Sequence, residues 1–264
     1  MNVQQSQDSK IFRMALTPAI ACRVPIFAPT RRPTSVTSLK IETSWGWGIV
    51  TGRLGQQHRD LLDAALYVAE DQDETSDGII HLLVDRAKLR VALGGDAVNF
   101  MRIDSWLNDL MQAKVEVHVD RIQLKVTGAL ISEVVNANKI EPKTRSGAFN
   151  KGRRYLRISF GSTWSKLIQD DRMINYPLMQ VVALQHGFSQ ATARYCWSHS
   201  NVNDSVEGLT KKLAAGGRIR DRTADLENDA NKLAEIGINF SNGKIYYKRA
   251  NKIESSQALR VKSW

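Results

Sequence analysis

The chain has 264 residues, of which 42% are hydrophobic and 24% are charged, close to the average for a soluble globular protein. This length and composition exclude a disordered or fibrous chain and allow two domains of ordinary size. Thirty-seven Lys and Arg against 27 Asp and Glu give a net charge of +10, an excess that attracts polyanions such as nucleic acid.

Cysteine usage and hydropathy favour a reducing compartment and exclude a membrane span. The two cysteines, Cys22 and Cys196, are too far apart in sequence for a local metal-binding or redox motif. No apolar run approaches the roughly 18 residues that a transmembrane helix needs. The apolar stretch 14–22 is short, contains a proline and is followed by arginines, which argues against a secretion signal. We therefore expect a cytoplasmic protein that makes no membrane contact.

Residues 1–44 show no sustained hydrophobic periodicity. Four prolines interrupt the segment, and Thr and Ser are frequent in it. Proline lacks a backbone N–H and fixes φ, so this composition disfavours helices and central strands. We predict an extended N-terminal arm over these residues.

The pattern of residues 45–135 predicts a helix-turn-helix followed by a β-hairpin. Apolar residues recur at helical spacing, and a second helical stretch ends at the turn Gly94-Gly95. A third helix follows, for which Asp96 is the predicted N-cap. The hydrophobic period then changes to two on either side of Asp120-Arg121, as in a β-hairpin. This order is that of a winged-helix domain. The predicted core stripe of the third helix comprises Phe100, Ile103, Trp106, Leu107, Leu110 and Met111.

The rest of the chain repeats this organisation after a basic linker. Residues 136–154 form the predicted linker, and seven basic side chains stand against one acidic side chain across 139–157. Residues 155–250 contain a strand, several helices and a hairpin, which predict a second winged-helix domain. Residues 251–264 are a predicted C-terminal tail. Before it, Asn242-Gly243 between alternating apolar residues is a strong hairpin signal.

The two halves share one spacing. The double glycines Gly94-Gly95 and Gly216-Gly217 lie 122 residues apart, and so do the turns Asp120-Arg121 and Asn242-Gly243. Two landmarks of different type at one offset indicate an architectural repeat. We therefore predict an α+β fold made of two winged-helix domains in tandem.

A winged helix places its third helix in the major groove of DNA and its hairpin against the adjacent backbone. In the second half that helix begins after the double glycine and exposes three arginines around Ile219, which we predict to be buried. Arginine is the commonest reader of guanine, so the three are candidate base contacts. The candidate residues are Arg218, Arg220 and Arg222 in the helix, with Lys244, Lys248 and Arg249 in the hairpin as DNA-backbone contacts.

The first half offers a less basic set. Its third helix exposes Asn99, Arg102 and Ser105 on one face, and these side chains can contact base edges. The preceding helix and the linker supply candidate contacts to the DNA backbone. These are Arg86, Lys88 and Arg90 in the helix and Arg153 and Arg154 in the linker.

No motif in the sequence indicates catalysis. There is no phosphate-binding loop, no paired-histidine zinc motif and no serine nucleophile elbow. The five histidines have no ligand-like spacing, and the scattered tryptophans do not indicate a platform for single-stranded nucleic acid. We therefore expect a double-stranded-DNA-binding protein that is not an enzyme and has no metal and no cofactor.

Several stretches between residues 25 and 249 match a known family in spacing more than in identity. They are PIFAPTRR at 25–32, IVTGRL at 49–54, DSWLNDL at 104–110 with the run to 119, YLRISF at 155–160, RIR at 218–220 and KLAEIGI at 232–238. On these stretches the chain resembles the plasmid replication initiators of the TrfA type, within the wider group of two-winged-helix initiators. Arg218 and Arg220 match basic residues at the start of the family's second recognition helix. The chain departs from the family in lacking a long N-terminal extension and in a recognition helix that turns acidic sooner.

The resemblance implies binding to short direct repeats at a replication origin and opening of that origin. It also implies monomer–dimer control and recruitment of the host initiator and the replicative helicase. The expected partners are therefore double-stranded DNA, a second copy of the chain and these host proteins. The alternative is a winged-helix transcriptional regulator or autorepressor that uses the same fold without initiator activity. Direct repeats beside the gene would favour the first, and a single inverted repeat the second.

Overall fold

The computed structural model describes residues 14–137 and 154–249, which form an α+β fold with antiparallel sheets. The strands are β1 (Ala15–Pro18), β2 (Val36–Thr43), β3 (Gly46–Gly52), β4 (Ala69–Glu74), β5 (Ile80–Asp85), β6 (Lys114–Val119), β7 (Leu124–Gly128), β8 (Ile131–Asn136), β9 (Tyr155–Phe160), β10 (Met173–Tyr176), β11 (Asn201–Ser205), β12 (Ile238–Ser241) and β13 (Lys244–Lys248). The helices are α1 (Ile20–Arg23), α2 (Gln56–Val68), α3 (Arg86–Ala92), α4 (Phe100–Gln112), α5 (Ser162–Asp170), α6 (Leu178–Val182), α7 (Gly187–Trp197), α8 (Val206–Lys212), α9 (Ile219–Asn228) and α10 (Ala230–Glu235).

The described N-terminal residues are part of the body of the molecule. Strand β1 pairs antiparallel with β10, and the side chains of Val24, Ile26 and Phe27 are buried. They fill the core from short stretches between prolines, so the segment lacks the periodicity that would have revealed it. The prediction of an extended arm over 1–44 is therefore wrong for the part that the structure describes.

The first half contains the predicted helix pair and hairpin. Helices α3 and α4 follow β5, and the hairpin β6–β7 follows α4. The N-cap of α4 is Asn99, whose Oδ1 accepts a hydrogen bond from the backbone N–H of Arg102 at 2.9 Å. Asp96, the predicted N-cap, instead lies in a single 3₁₀ turn, Gly95–Ala97. The prediction placed the cap three residues too early because Asp and Asn are both favoured at this position.

Strand β9 pairs with the first half of the chain. It lies in a four-stranded sheet of order β4-β5-β9-β8, in register with β5 at Leu82↔Ile158. We predicted 155–160 as the start of the second domain, so the boundary at 136–154 separates two strands that are neighbours in one sheet. Local periodicity identified the strand, but it carries no information about a partner more than 70 residues away.

The second half contains helices α7 to α10 and a three-stranded sheet of order β11-β13-β12. The predicted hairpin turn at Asn242-Gly243 is confirmed. Both residues have positive φ, 52° and 69°, which is the backbone that a two-residue type I′ turn requires. Asn and Gly are the residues that adopt it at lowest cost.

The helix predicted after Gly217 is broken in two. Helix α9 ends at Asn228, and α10 begins at Ala230. Asp229 between them is fully buried, and its carboxylate accepts hydrogen bonds from the backbone N–H groups of Gln185 and His186 at 2.9 and 3.0 Å. These charge-assisted hydrogen bonds tie the start of α7 to the break between α9 and α10.

One hydrophobic core runs through both halves, across the predicted domain boundary. At its centre Arg59 of α2 donates to Asp63 at 2.8 Å, and Arg194 of α7 pairs with Asp60 at 2.5 Å. The hydroxyl of Tyr176 donates to Asp63 at 2.6 Å. All five side chains are buried, and buried charges are tolerated only when paired. The pairs fix α7 on α2, so the two halves that we predicted as tandem domains share one core.

Candidate nucleic-acid interface

The start of α9 presents an exposed arginine, Arg220, on its first turn. Arg220 is exposed, and in the part of the chain that the structure describes its side chain has no hydrogen bond or ion pair. Arg218 is also exposed, but its Nε lies 3.1 Å from Asp221 Oδ2, one turn further along the helix. A pair this exposed is weak and can exchange for another anion. Arg220 is therefore the better placed of the two to contact DNA.

Arg222 has a structural role in place of the predicted base contact. Its Nε and Nη2 donate to the backbone carbonyl of Gly216 at 3.0 and 2.7 Å, and its Nη1 pairs with Asp225 at 2.9 Å. The guanidinium thus closes the double-glycine turn over the helix, where Gly217 adopts a φ of +92°. Arg222 was predicted as an exposed base contact, but its donors are used by the turn that positions Arg218 and Arg220.

Ile219, predicted to be buried, is 41% exposed. Helix α9 buries only Leu226, because its first turn projects away from the core. The first turn of α4 also projects away from the core. Phe100 at the first helical position is 38% exposed, although we predicted it in the core stripe. Both helices after a double glycine therefore begin with an apolar side chain in solvent.

The three-stranded sheet of the second half has an outer face with no carboxylate among the described residues. Lys244 and Lys248, the predicted contacts of the hairpin, lie on this face and alternate with the buried Ile245 and Tyr247. Asp204 of β11 lies on the inner face and pairs with Lys212 at 2.8 Å. The register brings together Asn201, Asn203, Ser205, Asn239, Ser241, Lys244, Tyr246 and Lys248, which we name the outer sheet face.

The outer sheet face has the chemistry of a phosphate-binding surface. Lysine, asparagine, serine and tyrosine side chains are the groups that contact DNA phosphates and sugars. All eight side chains are exposed. Sequence reasoning found the two lysines and missed the other six. In β12 and β13 the signal was the alternation within the strand, which was read only as evidence for a hairpin. Strand β11, which carries Asn201, Asn203 and Ser205, was not predicted.

Arg249, predicted as a third DNA-backbone contact of the hairpin, is held within the molecule. Its Nη2 donates to the backbone carbonyl of Trp197 at 2.7 Å, and its backbone N–H donates to Ser200. The side chain is half-buried. It anchors the last strand to the end of α7 and is a weaker candidate for DNA than Lys244 or Lys248.

The basic side chains of α3 are neutralised by acids. Arg86 lies 2.5 Å from Asp104, and Arg90 lies 3.3 Å from Asp96. Lys88 is paired as well, with Glu70 at 2.7 Å. These contacts reduce the charge that α3 can offer to phosphates. Sequence reasoning did not detect them, because Asp104 and Glu70 each lie 18 residues from their partners and Asp96 was assigned as a helix cap.

Helix α4 presents a nearly uncharged outward face. Arg102 is exposed and makes one long hydrogen bond, to the carbonyl of Ala97 at 3.5 Å, while Asn99 uses its Oδ1 as the helix cap. Ser105 is exposed, as predicted. The structure adds three residues to this face that sequence reasoning did not select, namely Met101, Asn108 and Gln112.

The linker residues are described only at one end. Arg154 is exposed, and its backbone carbonyl accepts a hydrogen bond from the N–H of Arg86 at 3.0 Å. It therefore lies beside the start of α3. Arg153 lies outside the described residues.

The histidines and cysteines of the described ranges do not form a reactive or metal-binding site. Both cysteines are buried and free, and burial raises the pKa of each thiol. Burial also lowers the pKa of His58 and His199. Across residues 14–137 and 154–249, no group of three or more His, Cys, Asp or Glu side chains is arranged to hold a metal ion. No helix in these ranges is long and apolar enough to cross a membrane.

Comparisons with known proteins bear on the fold. No protein-family model matches the chain, and no curated protein matches its sequence. A solved structure is similar, the crystal structure of RctB domains 2–3 (RctB-155-483), with a TM-score of 0.56 and 12% sequence identity. The similarity covers 88% of this chain and 97% of that one. At this identity it shows a shared α+β fold. The resemblance to the TrfA type stays a prediction.

Proposed function

We propose that the protein binds double-stranded DNA sequence-specifically through two winged-helix units carried on one body. The outer sheet face carries this proposal, because within residues 14–137 and 154–249 it joins two unpaired lysines to neutral hydrogen-bonding groups without a carboxylate. Arg220 at the start of α9 adds a side chain suited to guanine. Affinity then comes from phosphate neutralisation and specificity from the helix.

The order of elements supports two winged helices in tandem. In the second half α7, β11, α8, α9 and the hairpin β12–β13 follow one another, and β11 completes the sheet by pairing with β13. In the first half α2, β5, α3, α4 and the hairpin β6–β7 have the same order. There β5 pairs with β4 and β9, while the hairpin pairs with β3. On this proposal the first unit is a winged helix whose strands form part of two four-stranded sheets.

Within this class we propose replication initiation. The motifs quoted above resemble the TrfA-type plasmid initiators, and the fold is similar to that of RctB domains 2–3. On this proposal the protein binds direct repeats at an origin as a monomer or homodimer in the cytoplasm. It recruits the host initiator and the replicative helicase, and it has no enzymatic activity of its own.

A transcriptional regulator is the second candidate. The outward face of α4 is nearly neutral, and the cations of α3 are paired with acids. These features are as compatible with binding to a single operator as with binding to an array of origin repeats. The two candidates differ in the arrangement of their sites, direct repeats for an initiator and an inverted repeat for a repressor.

Footprinting and plasmid maintenance test the proposal together. The full chain is footprinted on the DNA that flanks its own gene, and the protected segment is cloned into a plasmid that cannot replicate alone. An initiator protects an array of direct repeats and maintains the plasmid when supplied in trans. A repressor protects an inverted repeat and does not maintain it. No protection of any segment contradicts both.

A further inference from the structure

The outward face of α4 carries uncharged side chains at helical spacing. Met101, Ser105, Asn108 and Gln112 are all exposed, and Met101 is the most exposed large hydrophobic side chain of the described residues, at 80%. The opposite face packs on the core. An apolar side chain beside amide groups matches the apolar and hydrogen-bonding groups that a base edge presents in the major groove.

The amide of Asn108 has a defined orientation. Gln112 lies one turn further on, and its Nε2 donates to Asn108 Oδ1 at 3.3 Å. This hydrogen bond distinguishes the oxygen of the Asn108 amide from its nitrogen and occupies one lone pair of the oxygen. The second lone pair and the amino group stay free, so Asn108 offers an acceptor beside a donor.

We propose that this face of α4 recognises A·T base pairs in the major groove, an inference that rests on the proposed function. Adenine presents a donor at N6 and an acceptor at N7, which match Oδ1 and Nδ2 of Asn108. Guanine presents two acceptors at the same edge, so Oδ1 would oppose O6 and the pair would be rejected. Gln112 acts as a positioning residue, because it selects the orientation of the amide that fits adenine.

Met101 recognises the second feature of an A·T pair. The C5-methyl group of thymine is the apolar group of the major groove, and cytosine lacks it. Met101 lies seven residues before Asn108, about 10 Å along the helix axis, which corresponds to roughly three base-pair steps. The two side chains therefore read different A·T pairs of one site.

The charges around this face favour DNA over an apolar protein partner. Arg102 beside Met101 is exposed and has no ion pair among the described residues. The two carboxylates of α4 are both paired, Asp104 with Arg86 at 2.5 Å and Asp109 with Arg53 at 2.8 Å. Among the described residues this face therefore has one unpaired cation, no unpaired acid and hydrogen-bonding amides, which complements a base edge next to a phosphate.

Base analogues test the proposal atom by atom. The full chain first selects a binding site from a randomised duplex pool, and each adenine of that site is then replaced by 7-deazaadenine and each thymine by deoxyuridine. We expect one deazaadenine to weaken wild-type binding about 5- to 150-fold and one deoxyuridine, roughly three pairs away, to weaken it about 4-fold.

The matched variants assign each effect to a side chain. Asn108→Ala becomes insensitive to the deazaadenine, and Met101→Ala becomes insensitive to the deoxyuridine. Gln112→Ala loses the preference for adenine over guanine at the Asn108 position. Arg220→Ala on α9 keeps both sensitivities and the preference for adenine, and it loses discrimination at a guanine elsewhere. Alanine is the best helix former, so circular dichroism should show each variant folded.

The outcomes separate this inference from the proposed function. If the wild type selects a site but Asn108→Ala and Met101→Ala keep the wild-type sensitivities, α4 does not read A·T pairs and DNA binding stands. If the wild type selects no site from the pool, sequence-specific binding fails and this inference fails with it.

Discussion

The Nη2 atom of Arg194 lies 2.5 Å from Oδ1 of Asp60, between the first helix of the second unit and the first helix of the first unit. Both side chains are 3% exposed, so the pair is removed from solvent. It joins α7 to α2 and sets the distance between the two helix–hairpin units. A fixed distance between two reading helices restricts the spacing of the DNA segments that they can contact together.

Removal of this pair should lower the stability of the whole molecule, which should still unfold in a single transition. Arg194→Ala leaves Asp60 and Asp63 buried without a cation at that side, and we expect a loss of about 3–5 kcal/mol in the free energy of unfolding. Urea unfolding followed by circular dichroism measures it, and a single transition is expected because the core is continuous. Arg220→Ala, on the surface, should change the free energy by less than about 0.5 kcal/mol. Two transitions, or an unchanged midpoint for Arg194→Ala, would contradict the account.

Stability should fall on mild acidification because of His58. Burial lowers its pKa in the folded protein, where Nδ1 accepts from the Gly55 N–H at 3.0 Å. The unfolded chain binds a proton below a pH of about 6.5, and the folded chain binds it only at lower pH. The stabilisation is therefore complete above pH 6.5 and is lost as the pH falls toward the lowered pKa.

The measurement is urea unfolding at pH 7.5 and pH 5.5. The wild type should lose more stability between these values than His58→Gln, whose side chain does not titrate. Equal losses in the two proteins would show that His58 is not the group responsible.

The arginines after the double glycine should differ in role, with Arg220 affecting DNA binding and Arg222 affecting stability. Arg220→Ala should weaken binding to the selected site by about 1–3 kcal/mol and relax the preference at one base pair, with unchanged stability. Arg218→Ala should have a smaller effect, because its guanidinium already faces Asp221. Arg222→Ala should lower stability by opening the turn at Gly216. Footprints that are unchanged for Arg220→Ala remove α9 from the interface.

The outer sheet face should contact phosphates and not bases. Lys244→Ala and Lys248→Ala should weaken all sequences alike, and each should reduce the slope of log K against log[salt] by about 0.9. Lys166→Ala is the matched control, because this exposed lysine of α5 lies outside both helix–hairpin units and is paired with Asp170 at 3.9 Å. A control with the same salt effect would indicate general electrostatics in place of a defined face.

Sequence reasoning identified the elements that local pattern determines. The hairpin at Asn242-Gly243 and the three buried residues of α4, Ile103, Leu107 and Leu110, follow from turn chemistry and helical periodicity. The pairing of β9 with β5 and the buried contacts of Arg194 depend on residues far apart in the chain. No local signal distinguishes a buried arginine on a helix from an exposed one.

The candidate site was predicted only in part, because local pattern does not reveal contacts between residues far apart in the chain. Lys244, Lys248 and Arg220 are exposed and free, as their positions in the pattern indicated. Arg222 and Arg249 have the same residue type, but both donate to backbone carbonyls. Whether an arginine faces solvent or closes a turn is decided by the path of the backbone, which composition does not reveal. Met101 was missed because an apolar residue on a helix is usually assigned to the core.

The most direct test of sequence-specific DNA binding compares two duplexes of equal length, the site that the full chain selects and a scrambled version of it. Fluorescence anisotropy measures both dissociation constants over a range of salt concentrations. The account predicts at least about 10³-fold tighter binding to the selected site at physiological salt, with both affinities falling as salt rises. Equal affinity for the two duplexes at every salt concentration would contradict it.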